Sequence, residues 1–467
     1  MLVRIYYILA CSFLVNCSQH YDDQVDSLLA CSGSNRRDII EVLEHYKLPE
    51  DHLKKKAVLF LIENYPLDEL DQFDKKIFLD NIELSFVAWK KPWATSLNFD
   101  QFKELILPFA MEKDADNVFW RERFLKEFSF VEDSLDFYRE ENSIRSICRI
   151  VNIAMARKYK IEFGSSIQPK NLMGWDSIRK GDCQSMSFLT LHILRSIGVP
   201  VAEEFTPHWA NVNGRHYWNS VLIDGRYYPF IGTESLPGDL KVELVDFTGF
   251  CQKRSKVFRR TYERNKQSLF EVNAQLAQPE RIPRAYFDSK YIDVSNGIIP
   301  VKDLTIDVNV DRSNLFSYLC VSSHKNWAPV SWAKNANGAA RFSDMRSEVV
   351  YLPAEFKNSA FSPIGFPMIL QKDGSVKTLA PNFKALRSVT LLRKYPYDET
   401  NLIKIGDSYL LSCWDGSGWK ELGSKTATEK VISFDNIPEN GLLLLQDLSR
   451  GKQERPFTYT DGAQYFW

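Results

Sequence analysis

The hydrophobic pattern of this chain changes period once. Across residues 35–159 apolar side chains recur every three or four positions, the spacing of helices that bury one face. Beyond about residue 250 they alternate in short runs broken by turn residues, the spacing of strands. Helices and sheets therefore occupy separate regions, and the fold class is multidomain α+β. The chain has 467 residues, 44% of them hydrophobic, enough to bury more than one core.

In the helical region Asn35 is placed to cap residues 36–46, whose Ile39, Ile40, Val42 and Leu43 line one side. Residues 53–63 repeat the device until Tyr65-Pro66 stops it. Further helical stretches are expected at 73–88, 102–109 and 140–159. Phe119-Trp120 beside Arg121-Glu122-Arg123 reads as packing at a domain junction, with a groove as the alternative. In the strand region 301–310 and 316–322 alternate, and 349–352 ends at Pro353. Residues 409–414 and 419–420 form a hairpin across Asp415-Gly416-Ser417-Gly418, and the apolar run 442–446 suits a central strand. Two antiparallel, sandwich-like β domains divided near Lys394-Tyr395-Pro396 fit this pattern. Exposed aromatics, including Tyr465-Phe466-Trp467, read as a packed face, with sugar stacking as the alternative.

Formal charge is -1, from 59 basic and 60 acidic residues without a block of either sign, which excludes a nucleic-acid groove. The first residues differ in kind. Arg4 precedes an apolar stretch at 5–15, and Cys17 is followed by Ser18-Gln19-His20. This is a signal peptide, too short to span a membrane. Leu14-Val15-Asn16-Cys17 resembles a lipoprotein cleavage box, although Asn16 replaces the usual small residue. Ile8-Leu9-Ala10-Cys11 competes, but cleavage there leaves an apolar core of only about six residues. Six cysteines remain after Cys17, scattered without CxxC or metal-ligand spacing, so neither a disulfide scaffold nor a metal or other cofactor is expected. A single bridge such as Cys320 with Cys413 stays open.

The chemistry concentrates at Gly181-Asp182-Cys183. Met186, Leu189, Ile193 and Ile197 give a helix behind Cys183, ended by Gly198-Val199-Pro200. A cysteine in the first turn meets the positive end of the helix dipole, which favours a thiolate, and the backbone N–H groups there suit an oxyanion. Gly181 allows close approach of a substrate; an inert buried cysteine is the plain alternative. Residues 216–223 alternate, Asp224-Gly225 turns, and 226–233 return. That register sets Ile231 opposite Trp218 and Thr233 opposite His216, so the position diagonal to the histidine holds a side chain that accepts no hydrogen bond. Asp224 lies roughly 26 Å along the strand at about 3.3 Å per residue, beyond reach. Thr233, Glu234, water or a residue from elsewhere remains to orient His216. His208, between Thr206-Pro207 and Trp209, lines the cleft, replaces His216 as base or closes a loop mouth; His192 is structural.

These residues carry a family likeness. Residues 175–234 resemble the transglutaminase-like superfamily: Gly181-Asp182-Cys183 matches its nucleophile motif, 196–200 its helix exit and His216-Tyr217-Trp218-Asn219 its base motif. Tyr228-Pro229-Phe230-Ile231 matches the strand that usually carries the aspartate, here Ile231. The wider chain looks like large exported transglutaminase-like lipoproteins of Bacteroidetes-type bacteria. The resemblance implies a papain-like α+β core and the division 1–17 lipoprotein signal peptide, 18–130 helical region, 131–250 transglutaminase-like core, 251–394 β domain and 395–467 C-terminal β domain. It implies Cys183 as nucleophile and His216 as base; with Thr233 and Glu234, left by the strand reading to orient the histidine, these form the expected catalytic set, and Gly181, His208, Trp209 and Trp218 are expected to bind substrate. The implied activity is a cell-surface cysteine hydrolase or acyltransferase acting on an amide of a peptide, cell-wall peptide or glycopeptide. The alternative is a catalytically impaired lipoprotein that binds glycan or peptide. Acylation of Cys17 would hold the protein on the cell envelope, as an outer-membrane lipoprotein facing an extracytoplasmic space. Mass spectrometry of the mature N-terminus should find an acylated Cys17 as first residue; an unacylated start elsewhere, or an intact Met1, overturns the anchor.

Overall fold

The computed structural model describes residues 23–108, 119–138, 143–162, 169, 171–239, 244–245, 250–309, 314–324, 326–450 and 453–467. Cys11, Cys17 and the signal segment lie outside the described residues. A helical N-terminal region is followed by β-rich sheets, a multidomain α+β architecture. The chain divides into two compact units. The first comprises Met1–Glu203, Trp218–Asp239 and Thr261–Arg264; the second comprises Glu204–Tyr217, Leu240–Arg260 and Asn265–Trp467. The backbone thus passes from one unit to the other five times, at 203/204, 217/218, 239/240, 260/261 and 264/265.

In the first unit helix α1 (Asp23–Cys31) precedes the region read as helical; α2 (Arg36–Leu43), α3 (His52–Glu63) and α4 (Lys75–Trp89) follow the expected stretches, and α5 (Phe99–Leu105) starts before its own. Asp74 caps α4 through the Ile77 amide, and Asn98 with Gln101 forms a reciprocal box at α5. Asn35 behaves otherwise. A 3-10 turn, Gly33–Asn35, runs straight into α2, and the Asn35 amide donates instead to the Leu70 carbonyl at 2.7 Å. A long-range acceptor has displaced the local cap. Helices α6 (Trp120–Glu127), α7 (Phe130–Tyr138), α8 (Ile144–Lys158) and α9 (Gly174–Ile178) follow, with a parallel pair β1 (Lys160–Ile161) and β2 (Lys180–Gly181).

Helix α10 (Cys183–Ser196) is the centre of this unit, and its residues from Met186 onward are buried on every side. Arg121 on α6 is buried too, and is a tie rather than a groove wall: it donates to Asn81, to the Arg195 carbonyl at 3.0 Å and to the Ile106 carbonyl at 2.7 Å. Strand β3 (Val201–Thr206) leaves α10, and β4 (His216–Ile223) pairs antiparallel with β5 (Arg226–Phe230). Tyr262 returns to the same core; its amide donates to Glu104 at 2.7 Å and its hydroxyl to the Leu61 carbonyl at 3.3 Å.

The second unit carries β6 (Leu244–Val245) paired with β7 (Cys251–Gln252), and β8 (Phe258–Arg260) paired with β9 (Tyr291–Asp293), beside helix α11 (Leu269–Ala274). Strands β10 (Val301–Asp307), β11 (Phe316–Ser323), β12 (Asn326–Ala336), β13 (Ala339–Arg346), β14 (Val349–Lys357), β15 (Ala360–Pro363), β16 (Met368–Leu370) and β17 (Val376–Thr378) form one sheet, ordered β10-β13-β12-β11-β14-β16-β17 with β15 on β14. Its central strands explain their apolar sequence. Leu319 and Val321 of β11 enter one core while Phe316, Tyr318 and Cys320 enter another, and β14 divides its residues the same way.

Strand β18 (Asn382–Leu391) pairs with β21 (Ile432–Glu439), while β19 (Ser408–Trp414), β20 (Trp419–Thr426), β22 (Leu443–Asp447), β23 (Phe457–Thr460) and β24 (Ala463–Phe466) form a sheet ordered β20-β19-β22-β23-β24. The apolar run at 442–446 supplies β22, the middle strand. Both sheets feed one core containing Val389, Phe434, Leu411, Leu445 and Phe457. Among the described residues no disulfide joins any of the six cysteines.

His192 is fully buried on α10, its Nδ1 2.8 Å from the Phe188 carbonyl and its ring edge-on to Trp120 at 4.6 Å. Burial pushes it down to about 3, so it is neutral in the folded protein at every pH where the unfolded chain begins to protonate it. The unfolded state therefore binds the extra proton as pH falls below about 6.5, and this residue alone removes stability at up to about 1.4 kcal/mol per pH unit until its folded pKa is reached. Denaturant unfolding at pH 7, 6 and 5 should show His192→Leu losing stability less steeply than wild type; parallel slopes would contradict it.

Candidate active site

In the first unit, α10 begins at Cys183 because Asp182 caps it. The Asp182 carboxylate accepts the Ser185 amide and hydroxyl, each at 2.9 Å, and its carbonyl accepts the Met186 amide at 3.0 Å. Cys183 is thereby the first helical residue, 7% exposed, at the positive end of the dipole. Gly181 is required for packing: a Cβ there would lie 2.8 Å from the Trp175 ring and 3.0 Å from Ser185. That space is filled by Trp175.

The hairpin adopts the register read from Asp224-Gly225. Ile223 faces Arg226 and Asn219 faces Phe230, with Asp224 at φ 49 and Gly225 at φ 77 supplying the turn. Asn219 donates to the Ser187 carbonyl at 2.9 Å, fastening β4 to α10 one turn beyond Cys183. Trp218 beside it is 1% exposed. The ladder then stops at Phe230, so the pairs extrapolated from it, Ile231 with Trp218 and Thr233 with His216, are not ladder pairs.

The physical reason is a turn that begins at Ile231. The Ile231 amide donates to the Ser235 hydroxyl at 2.7 Å, its carbonyl accepts the Glu234 and Ser235 amides, and Asn152 holds the Ser235 carbonyl at 2.6 Å. Gly232 sits so close to α10 that a Cβ would fall 2.0 Å from the Thr190 hydroxyl. Thr233 adopts φ 72, a left-handed conformation that costs a β-branched residue about 1–3 kcal/mol. Glu234 keeps much of its surface exposed, yet desolvation raises its carboxyl pKa.

In the second unit, His216 opens β4 and is 6% exposed. Its ring stacks on the buried Trp209 indole, centroids 5.5 Å apart and planes 23° apart, and the Arg254 guanidinium lies 5.9 Å from the same indole. Burial, and to a smaller degree the charge of Arg254, pushes His216 down to about 4. At neutral pH the imidazole is uncharged, the form that accepts a proton. His208 is also pushed down to about 4, by burial first and then by Arg215, Arg455 and His324. Its carbonyl accepts the Thr206 hydroxyl at 3.1 Å and the Ser255 hydroxyl.

The loop between them is held from far along the chain. Arg455, fully buried, donates to the carbonyls of Ala210 at 2.7 Å and Val212 at 2.9 Å, and Tyr395 accepts the Asn213 amide at 2.8 Å. Burial pushes Arg455 down to about 9. Arg254 lies in the basic run Lys253-Arg254-Ser255-Lys256 and Arg455 follows Arg450 and Lys452, and no spacing or motif sets either apart from its basic neighbours beforehand.

The first unit thus gathers Gly181, Cys183, Trp218 and the 231–235 turn around α10; the second gathers His208, Trp209, His216 and Arg254. Among the described residues no group of three His, Cys, Asp or Glu is placed to hold a metal ion.

No family model and no curated protein matches the chain. Among solved structures it has a weak likeness to a candidate cysteine protease from Cytophaga hutchinsonii, 17% identical with a TM-score of 0.23, covering 34% of this chain and 48% of that one. It has another to red sea bream transglutaminase, 9% identical with a TM-score of 0.22, covering 70% of each chain. The chain spans about half the length of the first. These are distant similarities to papain-like and transglutaminase-fold proteins, and scores this low fix no residue correspondence.

Removing the Trp209 ring should hydrate His216. Titration of its ring resonances by NMR is expected to give a midpoint near 4 in wild type and one displaced toward about 6.5 in Trp209→Ala. An ordinary midpoint in wild type, or no displacement in the variant, contradicts the burial argument.

Proposed function

We propose that this protein is a cell-surface cysteine hydrolase or acyltransferase of the transglutaminase-like type, acting on an amide of a peptide, cell-wall peptide or glycopeptide. The observation that carries the reading is the setting of Cys183, first residue of a capped and deeply buried helix. In this reading residues 131–250 form a transglutaminase-like core, followed by two sandwich-like β domains, and acylated Cys17 anchors the chain to the outer membrane.

Cys183 attacks the amide carbonyl as its thiolate. His216, uncharged at neutral pH, takes the thiol proton and returns it to the leaving amine, while the start of α10 stabilises the tetrahedral oxyanion. Water or an acceptor then resolves the thioester, and hydrolysis is favoured because water is always at hand. His208, Trp209 and Trp218 border the reacting centre in this scheme. Ile231 takes the place of the customary aspartate. Of the two substitutes, Glu234 is the stronger, since it carries a carboxyl just beyond β5, whereas Thr233 offers only a hydroxyl on a strained backbone.

Ile231 also supports a second reading. Its buried apolar side chain accepts nothing, as expected of a protein that retains the fold to bind glycan or peptide without turnover.

The two readings part under a cysteine-directed electrophile applied to the chain begun just after Cys17. Exposure alone makes Cys31 the first to react. An activated site makes Cys183 react first at pH 7, faster than an ordinary thiol of pKa about 8.5. Labelling of Cys183 no faster than that supports the binding protein. Given an amide substrate, Cys183→Ala should reduce turnover to background and Ile231→Asp should raise the chemical rate roughly tenfold or more where orientation of His216 limits it; an unchanged rate in the aspartate variant would mean that another group already orients His216 or that chemistry is not limiting.

A further inference from the structure

Lys394 and Asp447 form an ion pair closed off from solvent. Lys394 follows β18 and Asp447 ends β22; the Nζ lies 2.6 Å from Oδ2, and the side chains are 6% and 3% exposed. The other carboxylate oxygen, Oδ1, accepts the backbone N–H groups of Ser449 at 3.0 Å and Arg450 at 2.9 Å. A second carboxylate holds the backbone at Asp447: Glu454, also buried, accepts the Asp447 amide on Oε1 at 3.1 Å. Tyr409, opposite Asp447 in the β19–β22 ladder, is fully buried.

An amine and a carboxyl fixed in contact, with water excluded, are the two reactants of an amide. We propose that Lys394 and Asp447 condense into an intramolecular isopeptide bond, with Glu454 as the proton carrier. Burial pushes the Asp447 carboxyl up, but the Lys394 hydrogen bond and the backbone donors outweigh it and hold the group below its ordinary pKa, so proton transfer along the hydrogen bond gives the neutral amine and neutral acid as the minor form from which the reaction starts. The Nζ lone pair attacks Cγ, and the charge that develops on Oδ1 is met by the two backbone donors already aimed at it. Glu454 takes a proton from the attacking nitrogen and delivers it to the hydroxyl at Oδ2, which leaves as water. One N–C bond forms, one C–O bond breaks, and no oxidant or cofactor enters. The amide oxygen keeps both backbone hydrogen bonds, so the product fits the site that produced it. Fixing the reactants in contact raises their effective concentration far above that of free groups. The bond would join the exits of β18 and β22, which lie in the two sheets that share the C-terminal core.

The test is the intact mass and peptide map of the full purified chain. The expected mass is lighter than the sequence by one water, trypsin fails to cut after Lys394, and a branched peptide joins the segments of Lys394 and Asp447. Lys394→Arg, which keeps the charge but cannot condense in this way, should recover the missing water. Glu454→Gln should do the same with an unchanged near-ultraviolet circular dichroism spectrum. Full mass in wild type with normal cleavage after Lys394 overturns the bond and leaves a simple ion pair; a missing water mapped to any other residues overturns it equally. A branched peptide persisting in Glu454→Gln removes Glu454 from the mechanism. Should a variant fail to fold, the wild-type peptide map alone decides.

Discussion

The first unit depends on satisfying the polar backbone around a helix that has no solvent-facing side. Buried α10 and the chain beside it leave carbonyl oxygens that water cannot reach, and two arginines reach them instead. Arg121 binds the Arg195 carbonyl at the helix exit and those of Ile106 and Leu107; Arg195 binds Val201 and Glu104. Both guanidinium groups are held below their ordinary pKa, chiefly by burial, Arg195 down to about 10. Such hydrogen bonds contribute modestly when made, but losing one strands a buried carbonyl at about 1–3 kcal/mol. Because α10 is a rigid 14-residue rod, fixing its exit also fixes where Cys183 stands at its entrance.

The second unit solves a similar problem with Arg455. Its partners are carbonyl oxygens of the loop before β4 and of β11, so one side chain near the end of the sequence sets the course of the segment that presents His208, Trp209 and His216. The stacking of His216 on Trp209 then follows from that course, and the uncharged imidazole follows from the stacking. Electrostatics at this histidine is a consequence of packing decided far along the chain.

Local rules were legible in the sequence. The Asp224-Gly225 turn, the helix start at Asp182-Cys183, the hairpin across residues 415–418 and the central strand β22 rest on neighbours within a few residues, and the structure has all of them. Long-range competition was not legible. Asn35 bonds Leu70 in place of its own helix, the β4–β5 ladder ends where Gly232 meets Thr190, and β18 pairs with β21 some fifty residues later. Each of these outcomes is set by a partner that no local spacing announces. At the candidate site the sequence singles out Cys183, His216, His208, Trp209 and Trp218 by residue type and spacing, whereas Arg254 and Arg455, which lie against Trp209 and the 210–213 loop, carry no such mark.

The repeated passage of the backbone between units bears on how the protein is made. Synthesis proceeds from the N-terminus, and an ordinary N-terminal domain can close as soon as it has left the ribosome. Here the first unit must wait for Tyr262, which fills its core, and for Arg264, whose amide bonds Asn64. By then most of residues 204–260 have emerged as unfinished parts of the other unit. Neither unit is a contiguous stretch of gene, so no single truncation or fusion point yields one without a piece of the other. The core that surrounds the helix carrying Cys183 is closed only by residues translated well after that helix.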